Sequence, residues 1–427
     1  MRTGADYCAS LRDGRNVYVL GEGKVEDVTT HPATAPMVEE YVTWYDRHHD
    51  PEWRDIVLTP EGTPVGYMVP RSAQDLTRMG RCFSATTFPT AGNITHTPAY
   101  GHMIALGVQH AVNSRNASDA QVQNAETYRA SIAASGRFLT FAAAAATIGY
   151  RLRPDPADRA ALRLVKETDA GVVISGKIGM HTSPAYAEDI YLGANNGIDI
   201  QGHRATFVVA ANAPGVTIIC RRRSARDTNP FSSPLSGRYD ELDGQMWLDN
   251  VLIPWERVFL TEPSAEPVAR WLFWHQLYCW LAKAEFTLGI AFACTHAMGL
   301  ISHDPTIEYL LDLTTDVQTV RSCLVATELD PVMTQEGFCA PNHTHLSAGS
   351  IAMLKARPKM GEILRSLPGS SLVNAPSDRD LADPDLAAGL DESFSGGGYT
   401  AKQRSALLQM AWDHVGSALD HRESVYE

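Results

Sequence analysis

Two histidine pairs and one arginine run are the first places where residue type and spacing suggest chemistry. His48-His49-Asp50 and His343-Thr344-His345 carry donor atoms of the kind that hold a transition metal. Neither has a third ligand at motif spacing, so both are expected to be surface histidines, and no metal site is expected. Arg221-Arg222-Arg223 with Arg226 could grip an anion such as a cofactor phosphate; a solvated loop or strand end is the plainer expectation. The seven cysteines, Cys8, Cys82, Cys220, Cys279, Cys294, Cys323 and Cys339, are scattered and form no CxxC pair. That pattern suits a reducing compartment and argues against a disulfide framework or structural zinc.

Several catalytic signatures are missing from the sequence: the GxSxG nucleophile elbow, the GxxxxGK[ST] phosphate loop and the HExxH metal helix. No GxGxxG follows a strand, which removes the usual dinucleotide fold. A formal charge of −13 argues against nucleic acid as a partner. With 427 residues, 44% hydrophobic and 20% charged, the chain has room for two or three packed units.

The elements that would position any site fall into three stretches: residues 1–150 mainly helical, 151–264 rich in strands, and 265–427 helical again. In the first, Gly4-Ala5-Asp6 opens a capped short helix, and residues 16–25 suggest a small hairpin. The alanine-rich run from Ala120 to Gly149 predicts one long helix. In the second, short β-branched runs such as Val172-Val173-Ile174, Ile190-Tyr191-Leu192 and Val216-Thr217-Ile218-Ile219 predict an antiparallel β-domain. In the third, Val268–Ile301, Thr306–Leu329, His345–Leu367 and Ala401–Leu419 predict a four-helix bundle, with Pro358 kinking or dividing its third helix. Arg270, Lys283, Glu285 and His296 interrupt the first of these, so it reads as a buried bundle helix and no membrane is expected. The opening residues lack the apolar core of a signal peptide, and a cytoplasmic location is expected.

Longer strings carry more information. Lys166–Lys177 leads to the hydroxyl-rich His181-Thr182-Ser183-Pro184-Ala185, and then come Ser233–Glu241 and Leu248–Val258. Together with Thr3-Gly4-Ala5-Asp6-Tyr7, Val28-Thr29-Thr30-His31-Pro32 and Met410-Ala411-Trp412-Asp413-His414-Val415-Gly416-Ser417, they run in order through nearly the whole chain. In this the sequence resembles the large, oxygenase component of the 4-hydroxyphenylacetate 3-hydroxylase family. The resemblance implies an α+β, acyl-CoA-dehydrogenase-like fold: an N-terminal helical domain, a central antiparallel β-barrel, and a C-terminal four-helix bundle through which subunits associate. It also implies FAD, received as FADH2 from a separate flavin reductase, and a C4a-hydroperoxide that transfers oxygen ortho to a phenol. A homodimer or homotetramer acting on a small-molecule substrate is the expected assembly.

Carried over by position, the resemblance assigns Thr182 and the adjoining Ser183 to the flavin. Phe141, Ala142, Ala143 and Arg151 fall on two further flavin-side stretches, and Gly416 with Ser417 on the loop that reaches the cofactor from the helices. Asn195, Asn196 and Gly197 match a loop over the substrate. Tyr100 and His96 stand at an Arg-x-x-x-Tyr pattern, with histidine replacing arginine, and Phe141 stands where the family has a second histidine. Arginine stays charged and stabilises a phenolate; histidine does so only when protonated, though neutral it can act as a base. The expectation is a phenol- or arene-hydroxylating monooxygenase, with Tyr100 positioning the substrate oxygen and His96 as acid, base or orienting donor. The loss of two polar groups keeps open a flavin-dependent cyclase, isomerase or dehydrogenase on the same scaffold, and a non-catalytic subunit is a third reading. The resemblance also implies several tens of residues beyond the point where this sequence stops.

Overall fold

The computed structural model describes every residue except 114–116, 146–161, 194–197, 201–202, 226–228, 262–265, 335 and 427. Its helices begin with α1 (Gly4–Leu11), α2 (Ala35–Asp46), α3 (Arg54–Val57), α4 (Ala73–Thr87), α5 (Pro98–Asn113) and α6 (Asp119–Ser135). Thr3 closes a capping box with Asp6 at the start of α1, as the sequence suggests. Every residue of α5 from Pro98 to Val112 is buried, so this helix is apolar all round and threads the interior.

The alanine-rich run does not continue as one helix. Gly136 adopts φ +63° and ends α6, its N–H donating to the Ile132 carbonyl at 2.9 Å. The chain then enters β3 (Leu139–Ala145), which pairs with strands on both sides. Pairing within a sheet overrides the helix preference of alanine, which is a weak local bias.

The hairpin β1 (Val17–Val19) and β2 (Gly23–Val25) forms as expected, and joins the same sheet. The other strands are β4 (Arg163–Thr168), β5 (Gly171–Thr182), β6 (Asp189–Leu192), β7 (Ile198–Ile200), β8 (His203–Ala210), β9 (Val216–Cys220), β10 (Asp243–Pro254) and β11 (Val258–Thr261). The order is β11-β8-β6-β3-β5-β10-β9-β1-β2, with β4 added to β5 and β7 to β8. The expected antiparallel barrel is therefore corrected twice. β1/β9 and β3/β6 are parallel pairs, and among the described residues the path ends at β2 and β11 without closing. Segments distant in sequence had to be brought together to make these pairs, which no local pattern signals.

α7 (Glu266–Ala297), α8 (Asp304–Leu329), α9 (His343–Ser366) and α12 (Ala401–Val415) follow the four expected helical stretches. α9 passes through Pro358 undivided. A small β12 (Val332–Met333) and β13 (Cys339–Ala340) pair lies between α8 and α9, while α10 (Asp378–Ala382) and α11 (Ala387–Phe394) precede α12, and α13 (Ala418–Tyr426) follows it. α7 packs against α4, α5, α8, α9 and α12. By length and composition α7 could cross a membrane, but 67% of its most apolar window is buried inside the protein.

Candidate functional site

A polar cluster lies where four parts of the chain meet: the loop entering α5, the end of β5, the start of β10, and α7. Gly92 makes the loop possible. It sits at φ +68°, and a Cβ there would lie 2.1 Å from the Cys279 carbonyl of α7. Five residues later Thr97 caps α5, accepting the Tyr100 N–H at 3.2 Å, with Pro98 beginning the helix. The cap sets His96 just before the helix and Tyr100 in its first turn, their rings 4.3 Å apart. On its other side the Tyr100 ring meets His275 of α7 edge-on at 5.6 Å. Thr97 Oγ1 is 3.1 Å from His275 Nε2. The pair carried over from the resemblance is thus brought together.

Glu241, just before β10, holds this loop by its backbone. Its carboxylate accepts the His96 N–H at 2.8 Å, the Thr95 N–H at 3.0 Å and the Thr95 hydroxyl at 2.8 Å. The Thr95 oxygen also lies 2.9 Å from His96 Nδ1. Tyr41 of α2 reaches in as well, donating to the His96 carbonyl at 3.0 Å and lying 2.8 Å from Ser183 Oγ. Glu241 is fully buried. Burial is the largest influence on it and pushes its pKa up to about 7 against Arg422 and the Thr95 and His96 donors.

Two residues on, Asp243 has the opposite character. It receives Arg422 of α13 through two bonds, 2.8 and 2.7 Å, and Arg221 Nε at 2.8 Å. Burial would raise its pKa, but Arg422 and then Arg221 bring it down to about 2. Thr182, the last residue of β5, pairs with Asp243 in register and donates its hydroxyl to it at 3.0 Å. The next residue, Ser183, is buried at φ +60°, a left-handed turn that ends the strand. Arg221 therefore binds protein carboxylates, Asp240 and Asp243, rather than a surface anion, and Arg223 pairs with Glu22 at 3.2 Å. Arg226 lies outside the described residues.

The histidines here are neutral at ordinary pH. Burial, and then the nearby Arg422 charge, pull His96 down to about 3; burial alone does the same to His275. His181, next to Thr182 on β5, is pulled down to about 4 by burial. Both its ring nitrogens are buried without a hydrogen-bond partner. An orphaned imidazole beside Thr182 is what a binding surface for a polar ring leaves behind when only protein atoms are counted. The Thr182 hydroxyl spends its proton on Asp243, so its lone pairs face any N–H donor, such as a reduced flavin ring. The small Ala142, paired with His181, leaves β3 without bulk at that level. These residues fit a flavin.

Of the remaining expected positions, Phe141 packs on the apolar cluster that contains Tyr100. Phe141 is half-buried and stacks on Tyr191 at 5.8 Å, and a Cβ at Gly193 would come within 2.6 Å of its ring. Ala143 continues β3. Gly416 ends α12, its N–H donating to the Trp412 carbonyl at 2.7 Å, and Ser417 Oγ donates to the Asp413 carbonyl at 2.6 Å. The contact from the C-terminal helices to Asp243 comes from Arg422. Arg151, Asn195, Asn196 and Gly197 lie outside the described residues. His48 is buried against Trp44 rather than on the surface, and no metal-holding group of histidine, cysteine and carboxylate is found among the described residues.

Sequence reasoning missed Tyr41, Thr95, Thr97, Glu241, Asp243, His275 and Arg422 as a working group. The local signal was Asp240-Glu241-Leu242-Asp243, an acidic cluster leading into β10.

Comparison with known proteins follows the same lines. Residues 3–260 match the family described as 4-hydroxyphenylacetate 3-hydroxylase N terminal, and residues 267–427 its C-terminal counterpart. The chain is 27% identical over 441 residues to the 4-hydroxyphenylacetate 3-monooxygenase oxygenase component of Thermus thermophilus, covering 100% of this chain and 91% of that one. It is likewise 27% identical to the oxygenase component of a 4-nitrophenol 4-monooxygenase/4-nitrocatechol 2-monooxygenase of Rhodococcus opacus, covering 100% and 85%. A crystal structure of a 4-hydroxyphenylacetate 3-monooxygenase oxygenase component with FAD and 4-hydroxyphenylacetate superposes with a TM-score of 0.91 at 25% identity, covering 100% and 92%. The wider acyl-CoA-dehydrogenase-like fold is shared at 14% identity and a TM-score of 0.50, which speaks to fold alone.

Proposed function

Because the chain belongs to the 4-hydroxyphenylacetate 3-hydroxylase family, we propose that it is the FADH2-dependent oxygenase of a two-component monooxygenase that hydroxylates a phenol or similarly electron-rich ring. The observation that carries this reading is Tyr100 packed against a neutral His96 at 4.3 Å, beside the β5 end that suits a flavin. Bound flavin would supply the activated oxygen. The chain's own residues would supply orientation and dryness. Tyr100 and His96 would hold the substrate oxygen, and Phe141 would give an apolar wall in place of a polar group. Thr182, Ser183 and Ala142 would hold the flavin ring, aided by Ala143, Arg151 and the Gly416-Ser417 turn. Asn195, Asn196 and Gly197 would cover the substrate.

With a neutral imidazole where relatives carry a guanidinium, the site lacks a fixed positive charge at that position. It can present a ring-nitrogen lone pair to the phenol O–H, and it is less suited to stabilise the anion by charge alone. A flavin reductase would be the FADH2 donor, the protein would work in the cytoplasm, and its C-terminal helices would form the bundle through which copies associate. The division into 1–150, 151–264 and 265–427 belongs to the same proposal.

Tyr100→Phe tests it. With a reductase, NADH and FAD present, loss of one substrate hydrogen bond is expected to lower product formed per NADH by about tenfold, with hydrogen peroxide making up the difference. Unchanged coupling would remove Tyr100 from the site. Turnover without oxygen or reductase would replace the monooxygenase reading with a flavin-dependent cyclase, isomerase or dehydrogenase.

A further inference from the structure

His96 is held through one ring nitrogen and open at the other. Nδ1 lies 2.9 Å from Thr95 Oγ1, which in turn lies 2.8 Å from Glu241 Oε2. Nε2 has no hydrogen-bond partner among the described residues. Thr95 and Glu241 are buried, 1% and 0% exposed, whereas His96 is partly exposed. The three groups form a line from the imidazole nitrogen left without a partner to a dry carboxylate, with a hydroxyl between them that can donate on one side while accepting on the other.

We propose that Thr95 and Glu241 are positioning residues that set the tautomer of His96 and receive, through it, the proton leaving a phenolic substrate. This rests on the phenol reading above. The steps balance without any added reagent. With Glu241 ionised, the Thr95 hydroxyl donates to Oε2, its oxygen accepts Nδ1–H, and Nε2 presents a lone pair. The substrate O–H bond breaks and the proton goes to Nε2; Nδ1–H passes to Thr95 Oγ1; the Thr95 proton passes to Oε2. The products are a phenolate hydrogen-bonded to Nε2–H, a neutral imidazole and a neutral Glu241. The three transfers are concerted, so one negative charge moves from carboxylate to substrate without an imidazolium intermediate.

That outcome matches the electrostatics. His96 is too hard to protonate to keep a substrate proton itself, while Glu241, at about 7, can take one near neutrality. The charged and titratable groups facing the line are Tyr100 of α5, Arg422 of α13, Asp243 of β10, Tyr41 of α2, His275 of α7 and His181 of β5. Asp243 largely occupies Arg422. Tyr41, raised well above its ordinary value by burial and then by the Glu241 charge, stays neutral.

Two measurements test the relay, one without substrate. In histidine-15N-labelled protein, His96 is expected to carry its proton on Nε2 when Glu241 is neutral and on Nδ1 when it is ionised. Thr95→Val should abolish that switch and Thr95→Ser restore it. In the second, 4-nitrophenol, whose anion absorbs in the visible, is bound to the FAD-loaded protein and titrated. Thr95→Val is expected to raise the bound probe's midpoint by about one pH unit, a tenfold loss of ionisation, with Thr95→Ser close to wild type. A His96 tautomer that ignores pH in the wild type would overturn the relay while leaving phenol binding intact. So would equal midpoints in wild type and Thr95→Val. A tautomer switch in a protein that neither binds nor ionises any phenol would instead sink the phenol reading, and the relay's role with it.

Discussion

Glu241 and Asp243 are separated by a single leucine, both are buried, and both accept several hydrogen bonds, yet their charge states are set in opposite directions. Asp243 is gripped by two guanidinium groups and stays ionised down to about pH 2. Glu241 is surrounded by amides and hydroxyls and sits near 7. Burial pushes both upward, so burial does not explain the difference. The neighbours do: formal positive charge at contact distance outweighs desolvation, whereas neutral donors only reduce it. The two carboxylates thereby divide the work. Asp243 is a fixed anion tying α13, β9 and the end of β5 together, and Glu241 is free to change protonation beside the loop that carries His96.

The strongest way to break this contrast is to neutralise the fixed anion. Asp243→Asn leaves Arg422 and part of Arg221 buried without their counter-charge, and a loss of about 3–5 kcal/mol in unfolding free energy is expected by urea denaturation. A loss no larger than that of Glu241→Gln at neutral pH would mean the two cradles are equivalent after all.

A second measurement sharpens the contrast through pH. Asp243, held below its unfolded value of about 3.9, contributes stability above that pH and loses it as pH falls through about 2. Glu241, held above its unfolded value of about 4.3, contributes in full below that pH and loses the contribution as pH rises toward 7. The stability penalty of Glu241→Gln should therefore shrink between these limits, by up to about 1.4 kcal/mol for each pH unit. A penalty that grows with pH would reverse the assignment.

The smallest effect concerns the turn between them and β5. Ser183→Gly relieves a left-handed backbone but removes the hydroxyl 2.8 Å from Tyr41, and a net change within about 1 kcal/mol is expected. A larger loss would show that Ser183 does more for Glu241 than orient Tyr41.

Much of the helical outline was readable along the chain. The Thr3–Asp6 cap, the four C-terminal stretches and the β-branched or aromatic runs of β5, β6 and β9 are local patterns, and local patterns report local structure. The alanine run misled because its second half is claimed by sheet partners at Tyr191 and His181. The site was legible in part. His96 and Tyr100 lie within one short segment, so their approach follows from the cap at Thr97. Glu241 lies 146 residues from Thr95, and Arg422 lies 179 from Asp243.

What the sequence by itself determined is the family, most of the element order and the short segment that places His96 beside Tyr100. What only the tertiary structure decided is the protonation of the groups at the site. His96 is neutral, Glu241 is poised near neutrality and Asp243 is locked as an anion because of which groups folding brings within reach. A residue's type sets its ordinary pKa, and only its packed surroundings move it.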